Sequence, residues 1–360
     1  MKHTLLALLT ITLILFACDK NDPVEVPATY DPTPYELKIG DFPTPDLPVD
    51  NPLTMAGVQL GRMLFYEPTL SKDGSQACAD CHKQEDAFSD KRQFSIGVEK
   101  LPGKRQAMSV MNLAWHQNGL FWDGRAPKVR DQALKPIQDP LEMNETLPSV
   151  VAKLSANKKF TDQFIRAFGD ATVTPERMGL ALEQFMLIMV SHNAKYDKYL
   201  RGEATLTDAE ERGRVLFFTE YDPFGSTKGA ECFHCHAGHN FTNDEFMNNG
   251  LDMEAEQTDN GRMKVTMDPA DKAAFKVPSL RNIEHGGPFM HDGRFATLEA
   301  VVDHYDHGVK NSPNVAFILQ YNLQPGGLQM TAQAKADLVA FMKTLTDQDF
   351  LTNPAYAKPE

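Results

Sequence analysis

Apolar and polar positions along the chain sort into three regimes. A short basic start at Lys2 leads into an apolar run from Leu5 to Phe16, too short to cross a membrane and suited to an export signal over residues 1–17. Residues 18–52 lose any period, because Pro23, Pro27, Pro32, Pro34, Pro43, Pro45 and Pro48 interrupt both helix and sheet, and they predict a tether. Beyond residue 52, apolar residues recur at helical spacing between long polar loops, and alternating strand patterns are scarce. An all-α architecture follows. The run Phe185 to Val190, bounded by Glu183 and Lys195, is too short for a bilayer and predicts a buried helix.

The same pattern occurs twice. Gly61-Arg62-Met63-Leu64-Phe65-Tyr66 is echoed by Gly213-Arg214-Val215-Leu216-Phe217-Phe218. Ser109 and Asn112, followed by Trp122-Asp123-Gly124-Arg125, are echoed by Ser279 and Asn282, followed by His291-Asp292-Gly293-Arg294. Several echoes in the same order predict an internal duplication into residues 53–195 and 196–350, with the boundary between Asn193 and Leu206.

Each half carries one cysteine motif, Cys78-Ala79-Asp80-Cys81-His82 and Cys232-Phe233-His234-Cys235-His236. Two cysteines at this spacing with a histidine next match a c-type haem attachment site, in which each thiol adds to a vinyl group and the histidine, His82 or His236, becomes the proximal iron ligand. A zinc half-site or a redox dithiol has the same cysteine spacing. Zinc would need further ligands beside each motif, and a thioredoxin-type dithiol a strand-helix context that is missing here. Two complete motifs in an exported chain favour two covalently bound c-type haems in two cytochrome c-like domains.

Composition changes this picture little. With 360 residues and 42% hydrophobic residues the chain is long enough for two domains. Its net charge of -13 argues against nucleic-acid binding and permits steering of a cationic protein partner. Of the five cysteines, the motifs use all but Cys18. Leu15-Phe16-Ala17-Cys18 resembles a bacterial lipobox, so Cys18 is expected to carry a lipid anchor that tethers the protein at a membrane surface outside the cytoplasm.

Over residues 51 to 350 the sequence resembles the bacterial di-haem cytochrome c peroxidases and MauG. The carriers are both haem motifs, Phe121-Trp122-Asp123-Gly124-Arg125, the stretch from Gln132 to Glu142, Val277-Pro278-Ser279-Leu280-Arg281-Asn282, and His291-Asp292-Gly293-Arg294. The resemblance implies that hydrogen peroxide reacts at the N-terminal haem and that the C-terminal haem passes electrons to it. It implies Glu142 and Gln132 as the polar pair over the first iron, Glu142 as proton shuttle and Gln132 in an orienting role. Trp122 matches the tryptophan between the haems, and Trp115 is expected to be core. A calcium ion between the haems is implied at Gln106, where relatives carry Asn, and at the carbonyls of Lys276 and Pro278. Tyr305 is implied as the second axial ligand of the C-terminal haem, where the peroxidases carry methionine and MauG a tyrosine. Met290 and Met267 are the alternatives, with Tyr305 then packed at the end of a helix from Leu298 to His304.

Two departures bear on function. Many of these peroxidases carry a histidine in the loop after the first haem motif that caps the resting iron, and none lies between His82 and His116. MauG has a tryptophan two residues before the second motif, and this chain has Ala230. The remaining histidines, His116, His192, His234, His239, His285, His304 and His307, are expected to be surface or structural. The expected activity is that of a periplasmic, membrane-tethered peroxidase, which reduces hydrogen peroxide to water with electrons from a small cytochrome c or cupredoxin. A MauG-like enzyme that oxidises a partner protein stands second. Third is a non-catalytic di-haem electron carrier, which would need both irons capped by strong ligands.

Overall fold

The computed structural model describes residues 27–222 and 228–360; the export signal and Cys18 lie outside them. Two crossed helix pairs form the frame. Helix α1 (Met55–Phe65) starts where the Thr54 hydroxyl accepts the Gly57 N–H, and α3 (Pro175–Leu187) starts where Thr174 caps Arg177 and Pro175 fills the first turn. They cross so tightly at Gly61 that a Cβ there would lie 1.9 Å from the Ala181 carbonyl. In the second half, α5 (Asp208–Phe217) opens with a capping box of Thr207 and Glu210, and α7 (Ala332–Lys343) with Thr331 on Ala334. Gly213 meets the Asp337 carbonyl at the same 1.9 Å. The expected buried run from Phe185 to Val190 is buried throughout, with the helix ending at Leu187.

Shorter elements complete the frame. Helix α2 (Val129–Ala133) lies on α3, α4 (Lys195–Leu200) links the halves, and α6 (Leu298–Asp303) packs on α7. Each half buries its own apolar cluster. The halves meet through paired backbone bonds of equal length: Gln106 N–H to His291 C=O and Lys276 N–H to Trp122 C=O, both 2.8 Å. Asn112 and Asn282 stand at matching left-handed turns, with φ of 53° and 54°.

Three expectations are corrected. The fold is helical but not all-α, because β1 (Phe246–Met247) pairs antiparallel with β2 (Phe275–Lys276), in a ladder whose register puts the Lys276 N–H on Trp122. Residues 27–52 are no free tether. Proline removes backbone periodicity but not side-chain burial: Phe42 is buried against Trp115 and His239 at 5.1 and 5.4 Å, and the Trp115 indole donates to the Pro43 carbonyl at 2.8 Å. The helix expected to end at His304 instead stops at Asp303 and widens into a π turn, His304–Gly308, where the Asn322 amide takes the Tyr305 carbonyl. No helix among the described residues is long and apolar enough to cross a membrane.

Candidate functional site: two histidine-anchored cavities

Both cysteine motifs fold alike because each places a single 3₁₀ turn between its cysteines. Cys78–Asp80 and Cys232–His234 form these turns, and the histidine N–H that follows closes onto the first cysteine's carbonyl, 3.0 Å for His82 and 2.9 Å for His236. Each imidazole donates Nδ1–H to a backbone carbonyl, His82 to Phe88 at 2.8 Å and His236 to Phe241 at 3.2 Å. Carbonyls only accept, so the tautomer is fixed and the Nε2 lone pair is left for a metal. Burial keeps both rings neutral, His236 down to about 4.

A cavity of about 1050 Å³ opens over Cys81 and His82. A second, narrower cavity lies over Cys232, Cys235 and His236. Burial pushes the Cys78 and Cys232 thiols up to about 12, opposite to what a reactive dithiol requires. Among the described residues, the one group of three or more ligating side chains close enough to share an ion is Glu220, Glu231 and His234, which includes neither cysteine pair. Paired thiols, an imidazole with a free Nε2 and an apolar cavity beside each pair fit a covalently attached haem in each half.

Gln132, on α2, and Glu142, in the loop beyond it, both line the first cavity. The Glu142 carboxyl makes no side-chain hydrogen bond among the described residues. Burial raises it to about 7, the Asp139 charge adds to the rise, and Arg125 opposes it. The Arg125 guanidinium is held by Asp123 at 2.9 Å and lies 3.5 Å over the Phe121 ring. His82 and His116 are the histidines that line this cavity, and the His116 ring is tied to Asp244 at 2.7 Å.

Trp122 is buried and lines both cavities. Its indole donates to the Gln106 carbonyl at 2.8 Å, and its own carbonyl accepts from Lys276. The residues expected to hold calcium are therefore brought together, but around the tryptophan. The Gln106 amide donates to Ser89 and the Asp90 carbonyl at 3.0 and 3.1 Å, the Pro278 carbonyl faces His236, and the buried Lys276 ammonium sits on the Asp244 carboxylate at 2.6 Å. These contacts hold Trp122 between the two cavities.

In the second cavity the Tyr305 hydroxyl and the Met290 sulfur meet at one amide, with Asn249 Nδ2 donating to them at 3.3 and 3.4 Å. Met267 is 77% exposed and does not line this cavity, because its backbone turns left-handed at the end of a four-residue helix; it drops out as a ligand. Asn249 and Lys276's ammonium carry parts of the site that the sequence did not signal, since neither lies in a recognisable motif. Arg125 could have been found, because it closes the repeated Asp-Gly-Arg.

Two thiol-flanked, histidine-anchored cavities joined by one tryptophan define a di-haem c-type oxidoreductase. A family model described as di-haem cytochrome c peroxidase matches residues 55–205. The chain is 36% identical to the methylamine utilization protein MauG of Methylorubrum extorquens, over 83% of this chain and 80% of that one. It is 33% identical to the cytochrome c551 peroxidase of Nitrosomonas europaea, over 80% and 79%. A crystal structure of a MauG-like protein associated with microbial copper homeostasis superposes with a TM-score of 0.79 at 35% identity, covering 90% of this chain and 99% of that one. The chain belongs to the di-haem cytochrome c peroxidase and MauG family, and is a peroxide-using oxidoreductase.

Proposed function

We propose that the protein reduces hydrogen peroxide to water at its N-terminal haem, with electrons from a small cytochrome c or cupredoxin that enter through the C-terminal haem. The observation that carries this reading is Glu142, a carboxyl raised toward neutrality in the cavity over His82 that makes no side-chain hydrogen bond among the described residues. Cys78, Cys81 and His82 would hold a haem, which would supply the iron at which the O–O bond breaks. The Glu142 carboxylate accepts the proton of the near oxygen and returns it to the far one, which leaves as water. Two electrons and two protons convert the peroxide into two waters. Gln132 orients the peroxide by hydrogen bonding, and Trp122, which borders both cavities, relays electrons between them.

The matching helix pairs, histidine anchors and asparagine turns support an internal duplication into residues 53–195 and 196–350. The export signal and Cys18 support a periplasmic, lipid-tethered address. A pure electron carrier is disfavoured, because His116, the other histidine at the first cavity, is held by Asp244. One observation favours a MauG-like second reading, in which a partner protein is oxidised: Tyr305 lines the C-terminal cavity. The test is turnover of hydrogen peroxide with a reduced small cytochrome c, beside peroxide treatment of exported proteins encoded next to this one. Rapid donor oxidation supports the peroxidase; an oxidised partner residue without donor turnover supports the alternative.

A further inference from the structure

The loops behind the two proximal histidines are packed from different places in the chain. Tyr196, the first residue of the second half, packs edge-on against Phe241 and Phe341 of that same half, at 5.8 and 5.1 Å. After α7 the chain enters α8 (Gln348–Thr352), and Phe350 and Tyr356 pack edge-on against Phe88 of the first half, at 5.6 and 6.5 Å. Phe88 and Phe241 are the residues whose carbonyls take the Nδ1 protons of His82 and His236.

Neither phenylalanine sits in an ordinary backbone conformation. Phe88 has φ of 55°, directly after Ala87 at 55°, and Phe241 has φ of 49°. A bulky residue in the left-handed region costs about 1–3 kcal/mol and persists only when its surroundings over-determine it. Each carbonyl also accepts a backbone N–H, that of Val110 at 3.1 Å on Phe88 and that of Leu280 at 3.3 Å on Phe241, so the packing on the ring acts together with that bond in aiming it. Phe65, at 6.1 Å, is the partner of Phe88 from its own half, and Phe350 and Tyr356 come from the far end of the chain. That end is tied down around the loop. The Gln84 amide donates to the Phe350 and Asn353 carbonyls at 3.1 and 2.9 Å, the Tyr66 hydroxyl donates to the Tyr356 carbonyl at 2.8 Å, and the Tyr356 hydroxyl accepts the Val190 N–H at 3.3 Å.

We propose that residues 348–357 are a positioning strap for His82, so that the proximal ligand of the first haem is set by the trailing segment of the second half, whereas Tyr196 serves His236 from within its own half. By fixing the Phe88 ring, the strap aims the carbonyl that draws on the His82 Nδ1 proton. A strong hydrogen bond there makes Nε2 a better donor and favours ferric over ferrous iron. This inference rests on His82 and His236 being the haem ligands. Phe350, Tyr356 and Tyr196 are positioning residues and touch no substrate.

The experiment uses the full-length haem-loaded protein and reads the midpoint potential and the iron–histidine stretching frequency of each haem separately. Phe350→Ala and Tyr356→Ala should raise the potential of the N-terminal haem by about tenfold in its ferric–ferrous equilibrium, equivalent to about 59 mV for a one-electron couple, and lower its stretching frequency. The C-terminal haem should be unmoved. Tyr196→Ala should do the converse, and Phe350→Leu, Tyr356→Phe and Tyr196→Phe should restore the parent values. Should the alanine variants fail to fold, Gln84→Ala releases the strap while leaving the aromatic packing intact, and should give a smaller shift of the same sign. Potentials that stay put in folded variants, or that move together in both haems, overturn the proposal. A parent chain without haem on Cys78 and Cys81 in denaturing mass spectrometry overturns the ligand assignment first and is recognisable as that.

Discussion

Glu142 owes its place to two opposing neighbours, Asp139 and Arg125, inside a cavity that removes most of its water. A carboxyl raised to about 7 must be ionised to accept the peroxide proton, so the rate of peroxide cleavage should rise with pH through about 7 and level off above it. Stopped-flow rates across that range check this. Glu142→Gln should lower the rate by about 10²–10⁴ and flatten the profile, with haem content unchanged. Asp139→Asn removes one cause of the rise and should move the midpoint downward. At the second cavity, burial pushes the Tyr305 phenol up to about 12, so only a cation at its oxygen would ionise it near neutrality. An anionic oxygen ligand stabilises ferric iron. Tyr305→Phe should accordingly raise the potential of the C-terminal haem, and the oxidised parent should lack the charge-transfer band of methionine-sulfur ligation. A band that survives Tyr305→Phe would assign the position to Met290, which shares Asn249 with it.

Helix crossings carry the shape of each half. A Cβ on Gly61 would collide with the Ala181 carbonyl, and one on Gly213 with the Asp337 carbonyl, both at 1.9 Å and both on backbone that has no rotamer to yield. Gly61→Ala and Gly213→Ala should each cost about 3 kcal/mol, measured by urea unfolding, whereas Gly286→Ala, whose nearest neighbour lies 3.9 Å away, should cost little. These glycines were visible in the sequence as repeated hexapeptides, as were both histidine anchors, because their chemistry is local and fixed by spacing. The π turn at Tyr305 was not visible, since it depends on the Asn322 amide reaching the Tyr305 carbonyl from a later loop. Nor was the packing of residues 27–52: seven prolines conceal the burial of Phe42, which is sealed by Trp115, His239 and the Arg281 guanidinium. The lysine beside Trp122 escaped for a similar reason. Its role comes from Asp244, which is distant in sequence and ordinary in composition.

Taken whole, the molecule pairs two haem-sized problems with one covalent solution applied twice. Denaturing mass spectrometry should find two haems on the parent chain and one after Cys78→Ala with Cys81→Ala. The apolar cluster of the second half, which contains neither cysteine of the first motif's turn, should remain assembled in that variant. The reach of the trailing segment bears on assembly. Because Phe350 and Tyr356 lie far beyond Phe88 in the chain, the loop that carries Phe88 and orients His82 cannot close its aromatic cage until that later segment has folded back on it. During that interval the first motif stays accessible to whatever machinery joins haem to its cysteines. The same interlocking makes the halves poor candidates for separation. Severing the chain between Asn193 and Tyr196 would leave the N-terminal fragment without Phe350 and Tyr356, and its Phe88 loop would regain its native packing only by reassociation with the C-terminal piece.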